Sequence, residues 1–391
     1  MKKIKTIKDL AINGSIPAFS EPVHVGRPNI GDRKDFLCRV DSMLERGWLT
    51  NNGPIVQEFE GKVCSYLGVK HCVAMCNGTI ALEIAIRALE LKGEVIIPSY
   101  TFIATAHALH WQEITPVFAD IDLTTHTIDP TAVRRMITPR TTGIIGVHLW
   151  GQGAPHLELQ EISEEYEIKL LYDAAHAFGC SLNGTMIGNF GSCEVLSFHA
   201  TKFFNTFEGG AVVTNDDVLA DKMRLMRNFG FSGLDNVIYP GTNGKMTEIC
   251  AAMGLTNFDY IDTVISTNHL NYNAYRSAIA DIPGLSLITY EDANRNNYQY
   301  VVIEVTSDFP YSRDEIIETL RAENILARKY FWPGCHNMKP YCDLFPHAGL
   351  LLPNTTLVAD RVIVLPTGTT MDSNVIKTVT SVIQVLLENK K

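Results

Sequence analysis

The sequence predicts an α/β protein, with a large domain built on a mainly parallel sheet and a smaller α+β domain at the C-terminal side. Three observations lead there. Between about residues 55 and 215, short apolar runs alternate with stretches of helical length, and several runs are almost unbroken, as expected of strands covered on both faces. Beyond about residue 255 that alternation gives way to a sparser mixture of strands and helices. A chain of 391 residues, 46% hydrophobic and 19% charged, can bury a sizeable core and by length suggests roughly two domains. The expected division is 1–260 and 261–391, with the N-terminal segment packed on the smaller domain, since no Pro/Gly-rich linker marks a sharper boundary.

The elements follow in order. "IVQEFEGKVCSYLG" sets Ile55, Phe59, Val63 and Leu67 four apart on one helix face and stops at Gly68, a C-cap residue. Strands are expected at 71–75, 94–100, 115–121, 142–150, 168–173, 193–199 and 210–215. After the first of these, "NGTIALEIAIRALEL" carries Ile80, Ile84 and Leu91 at helical spacing. In the second half, 298–305 and 362–367 read as strands. Residues 312–325 read as a helix opened by a Ser312–Glu315 capping box, and a terminal helix begins at Ser373.

Composition excludes several classes. Thirty-three basic residues against 43 acidic ones leave a net charge of −10, so no overall field draws nucleic acid, and a phosphate-bearing ligand needs a local site. The basic start lacks the apolar run of a secretory signal, and no 18 apolar residues stand together, so a cytoplasmic protein without a membrane partner is expected. Nine cysteines lie scattered with no CxxC pair, which reads as reduced core residues. Cys72 and Cys76 stand four apart without further ligands, so no metal is expected.

Sheets of this kind present their chemistry at the carboxyl ends of strands. Four ends draw notice. Asn77-Gly78-Thr79 opens a helix, where free amides and the helix dipole suit a phosphate, although a plain strand-to-helix turn reads the same. Tyr100 and Phe102 follow 94–100 as an aromatic plate for a planar ligand, or as ordinary core. Asp173 ends an apolar strand, where a buried carboxylate needs a partner, and His176 follows three residues on. Ser197 and His199 precede Lys202, which lies either in water or in a desolvated pocket that would make its amine a nucleophile. Phosphate cradle, plate, carboxylate and lysine together are what pyridoxal 5′-phosphate requires.

The segments "CNGTIAL", "PSYTFIATA", "DAAHAFG", "SFHATKFFNTFEGGAVVTND" and "GTNGKMTEICAAMGL" resemble, in order, signature segments of the DegT/DnrJ/EryC1/StrS sugar aminotransferases. With "GWLTNNGP" near the N-terminus, the likeness covers nearly the whole chain. "NYQYVVIEV", "YFWPGCH" and "LPTGT" are similar to the subgroup acting on dTDP-4-oxo-6-deoxyglucose at C4. The resemblance implies the type I fold of aspartate aminotransferase, pyridoxal 5′-phosphate as cofactor, and glutamate and a nucleotide sugar as substrates. It makes Lys202 the Schiff-base lysine and Asp173 the partner of the pyridine nitrogen. Gly78, Thr79 and Ser197 would bind the phosphate, and Phe102 would stack on the ring. His176, where many members carry Gln, would lie near the phenolic oxygen. Asn243 would reach the phosphate of a neighbouring subunit's cofactor, which implies a homodimer with a shared site. Tyr330, Trp332 and His336 become candidate substrate contacts. Two other readings stay open: the same chemistry on a 3-oxo or UDP-linked sugar or with an axial amine, and a cofactor-binding regulator without turnover.

Overall fold

The computed structural model describes residues 2–388. Its centre is a seven-stranded sheet of β1 (His71–Met75), β2 (Glu94–Pro98), β3 (Thr115–Ala119), β4 (Thr141–Val147), β5 (Lys169–Asp173), β6 (Glu194–Ser197) and β7 (Gly210–Thr214). Across the sheet the order is β1-β7-β6-β5-β4-β2-β3. Only β7 runs against its neighbours, and it meets both Met75 and Ser197 at Gly210. The carboxyl ends of six strands and the start of the seventh therefore share one edge. Side chains along each strand alternate between faces. Val73, Ile97, Leu171 and Val212 pack on one side with helices Gly78–Ala88, Ile103–His110 and Asp217–Met226, while Ala74, Leu196 and Val213 pack on the other with Pro54–Leu67 and Glu248–Phe258.

A second, antiparallel sheet holds β8 (Leu285–Leu287), β9 (Val301–Val305) and β10 (Val362–Leu365). It packs with helices Ile261–Ile279, Arg313–Ala322 and Ser373–Glu388 in a core that also takes in Ile4, Leu10 and Phe19 from the N-terminal segment. Val23 and His24 pair in parallel with Ile325 and Leu326. The capping box at Ser312 is present, with the Ser312 hydroxyl and the Glu315 carboxylate each bonding the other's backbone amide.

Several strands are shorter than their apolar runs suggest. Residues 99–100 and 148–150 leave the sheet at its carboxyl edge, so β2 stops at Pro98 and β4 at Val147. Trp150 takes a positive φ of 59° ahead of Gly151, an uncommon backbone state that turns the chain across that edge. Residues 298–300 stay outside β9 because Asn296 and Asn297 bond forward to the amides of Tyr298 and Gln299, at 2.6 and 2.9 Å. Such Asx turns compete with strand pairing.

Candidate active site

Asp173 closes β5 and is buried. Its Oδ2 accepts a hydrogen bond from the Thr105 hydroxyl at 2.9 Å, and its Oδ1 accepts the Ala175 amide at 3.1 Å. Burial pushes its pKa up, and these bonds together with the nearby charge of Lys202 oppose that push. Lys202 stands in a turn beyond β6, its amide bonded to the His199 carbonyl at 2.8 Å. Its Nζ donates to the Tyr300 hydroxyl at 3.3 Å. Burial lowers its pKa to about 8, against the pull of Asp173. The two groups thus feel one another's charge without forming an ion pair, and the amine is freed for nucleophilic attack at lower pH than an ordinary lysine's.

His176 sits on the same edge, its ring 4.4 Å from Tyr300 and 5.7 Å from Trp150. Its Nδ1 is buried without a hydrogen-bond partner. Burial, helped by the charge of Lys202, drives its pKa well down, so the ring is neutral. Phe102, 57% exposed, leans on Phe331 with ring centroids 6.3 Å apart.

The end of β1 makes a different kind of surface. Asn77 caps the helix Gly78–Ala88 by accepting the Ile80 amide at 2.8 Å. The first-turn amides of Gly78 and Thr79 have no intrahelical acceptor, and together with the dipole they suit an anion. Close packing shapes this cradle. A Cβ on Gly210 would stand 2.5 Å from the Asn77 carbonyl carbon and 2.6 Å from the Gly78 nitrogen; one on Gly78 would lie 3.2 Å from Ser197 Cβ. Glycine at 78 and 210 lets β6, β7 and the helix start converge, with Ser197 alongside. The next segment is tied in too, since the Cys76 amide bonds the Gly244 carbonyl at 2.8 Å. Asn243 lies exposed beside it.

The sequence-derived residues therefore divide. Lys202 and His176 both meet Tyr300, with Asp173 within reach of the Lys202 charge, Gly78, Thr79 and Ser197 come together at the helix start, and Phe102 stands exposed against Phe331. Tyr330 belongs to the cleft, 6.4 Å from Tyr300, and its carbonyl accepts the Tyr100 hydroxyl. Trp332 and His336 make their contacts elsewhere. The Trp332 indole donates to Asp360 at 3.1 Å, while buried His336 bonds Ser99 Oγ at 2.7 Å. Sequence reasoning missed Thr105, Trp150, Tyr300 and Phe331. Thr105 stands three residues beyond Phe102 in a helix that also carries His107 and His110, so nothing local marked it.

A lowered-pKa amine, a buried carboxylate, an unpartnered histidine nitrogen and an anion cradle on one sheet edge define a lysine-dependent cofactor enzyme, and the donor set fits pyridoxal 5′-phosphate. The chain belongs to the DegT/DnrJ/EryC1/StrS aminotransferase family, whose profile matches residues 31–384. It is similar to the dTDP-4-amino-4,6-dideoxy-D-glucose transaminase of Shigella dysenteriae, 38% identical over 94% of this chain and 99% of that one. The GDP-perosamine synthase of Caulobacter vibrioides is 32% identical, covering 82% and 87%. Among solved structures, DesI, determined in the presence of its TDP-sugar product, superposes with a TM-score of 0.93 at 45% identity, covering 97% and 96%. Among the described residues, no helix is long and apolar enough to cross a membrane.

Proposed function

We propose that this chain moves an amino group from glutamate to C4 of dTDP-4-oxo-6-deoxyglucose, giving dTDP-4-amino-4,6-dideoxyglucose. The observation that carries the reading is the placement of Lys202 and Asp173 on one sheet edge, an amine bonded to Tyr300 and a buried carboxylate bonded to Thr105, each within reach of the other's charge. Similarity to the Shigella dysenteriae transaminase and to DesI supports the choice of sugar. Bound pyridoxal phosphate supplies an electron sink for carbanion chemistry. Lys202 would hold the cofactor at its aldehyde end, and its amine would carry the proton taken from the donor's α-carbon and deliver one to C4 of the sugar. Asp173 would hold the ring nitrogen protonated. Gly78, Thr79 and Ser197 would hold the phosphate, Phe102 would pack on the ring, and neutral His176 would serve the phenolic oxygen.

Asn243 suits a contact across a two-fold axis, and we take the working unit to be a homodimer with a shared site. Residues 261–391 then form the small domain, with the N-terminal segment packed on it. Tyr330 is the substrate contact best supported by position, ahead of Trp332 and His336. The test is mass spectrometry and NMR of products formed from glutamate and a panel of dTDP-, UDP- and GDP-linked 3-oxo and 4-oxo sugars. A 4-amino-4,6-dideoxyglucose product on dTDP is expected. Cofactor-loaded protein that aminates no member of the panel overturns the reading in favour of a regulator.

A further inference from the structure

Beside Lys202 the cleft opens into a cavity of about 480 Å³ between the N-terminal segment and the second sheet. Thr201 and Tyr300 form its inner end, and Tyr330, Arg328, Arg321 and His24 line its wall. Charge is the notable feature. No carboxylate lines the cavity, in a chain whose net charge is −10. Lys329, the next residue in the chain, bonds Asp314 at 2.7 Å, whereas Arg328 and Arg321 have no acidic partner among the described residues. Arg321 donates only to the Ala327 carbonyl, at 3.3 Å. The Arg328 guanidinium lies 5.0 Å above the Tyr330 ring, which holds its fork of donors at the wall. The wall itself is fixed by the pairing of Val23 and His24 with Ile325 and Leu326. Gly26 completes it, since a Cβ there would stand 2.8 Å from the Thr201 carbonyl oxygen.

Two exposed guanidiniums without a carboxylate partner, side by side on the wall of one cavity, offer an anion a site. Position decides which anion. The α-carboxylate of an amino donor is attached to the carbon that carries the reacting nitrogen, so it must sit close to Lys202 Nζ. Two rings link that nitrogen to Arg328: Nζ is 5.9 Å from the Tyr300 centroid, Tyr300 is 6.4 Å from Tyr330, and the Arg328 guanidinium is 5.0 Å from the Tyr330 ring. In a nucleotide-linked 4-oxo sugar the diphosphate hangs from C1, across the pyranose ring from C4. We infer that Arg328 and Arg321 form the diphosphate subsite for the sugar nucleotide, with Tyr300 and Tyr330 flanking the sugar between it and Lys202. This assignment rests on the proposed function and specifies how that substrate lies.

The test uses the cofactor-loaded protein and calorimetric titration with dTDP, UDP and GDP. For whichever diphosphate binds the wild type, Arg328→Ala is expected to weaken affinity at least about tenfold, Arg321→Ala about threefold or more, and Arg328→Lys to recover part of the loss, as expected when charge-assisted phosphate contacts are removed. The KM for glutamate, read from bleaching of the visible cofactor band, is expected to stay within about twofold, because neither arginine touches the donor. Diphosphate affinities of both alanine variants within about twofold of wild type overturn the subsite, and so does a selective rise in the glutamate KM. A wild type that responds to glutamate yet binds none of the three diphosphates overturns the nucleotide-sugar reading itself, an outcome distinct from unchanged variants.

Discussion

The Thr105 hydroxyl donates its hydrogen bond to Asp173 Oδ2 at 2.9 Å, and the Thr101 hydroxyl lies 3.0 Å from Thr105 in turn. A buried carboxylate normally needs a cation to stay charged. Here neutral donors do that work, with Lys202 acting from farther off. Thr105→Val keeps the shape and removes the donor. A hydrogen bond to a charged group contributes about 1.5–3 kcal/mol, so kcat/KM should fall by about 10- to 100-fold. Thr105→Ser should recover most of it. Steady-state kinetics of the three proteins decide the matter, and a valine variant at full activity shows that Thr105 merely fills space.

Asp173→Asn leaves the volume and removes the charge. If the carboxylate keeps the cofactor nitrogen protonated, turnover should drop by at least about a thousandfold, roughly 4 kcal/mol of barrier. The variant should still bind cofactor through Lys202 and the cradle, which absorbance of the purified protein checks. Turnover within about tenfold of wild type would remove Asp173 from that role.

How far the sequence carried these conclusions depended on the kind of contact. Unbroken runs such as "EVIIP" announced strands buried on both faces, and Asp173 was legible because a carboxylate at the end of an apolar strand is costly without a partner. The partner was not legible. Thr105 lies 68 residues away on a helix of another strand crossover, and nothing local in "IATAHALH" points at Asp173. Tyr300 and Phe331 were hidden for the same reason, since the second sheet must fold against the first before they meet His176. Strand ends were overrun at 99–100 and 148–150 because Tyr100, Leu149 and Trp150 leave the sheet to pack with Tyr300 and Phe331. Hydrophobicity alone does not register that change of direction.

Gly210 tests the cradle without touching a polar atom. A Cβ at this position meets backbone of Asn77 and Gly78 at 2.5 and 2.6 Å, and backbone cannot swing aside as a long side chain can. Gly210→Ala should push the helix start away from β7. Overpacking of this kind costs about 1–3 kcal/mol, and the displaced amides should weaken phosphate binding. The expected result is a lower melting temperature with cofactor affinity reduced at least about fivefold. Equilibrium titration of cofactor-free protein with pyridoxal phosphate measures it. Unchanged affinity despite lowered stability would separate the cradle from the cofactor.

The amine of Lys202 offers a pH signature. Burial lowers its pKa from 10.5 to about 8, so between those values the folded cofactor-free chain has released a proton that the unfolded chain still holds. Stability should therefore rise with pH through that window on account of this group. Reactivity follows the same titration, because only the free amine attacks an aldehyde. The rate at which cofactor-free protein captures pyridoxal phosphate, trapped by borohydride reduction, should climb with pH with its inflection near 8, well below the value for an ordinary lysine. Asp173 pulls the amine's pKa upward, so Asp173→Asn should move the inflection to lower pH. An inflection that stays put in the variant, or one at the ordinary lysine value in the wild type, breaks the electrostatic link between the two residues on which the catalytic assignment depends.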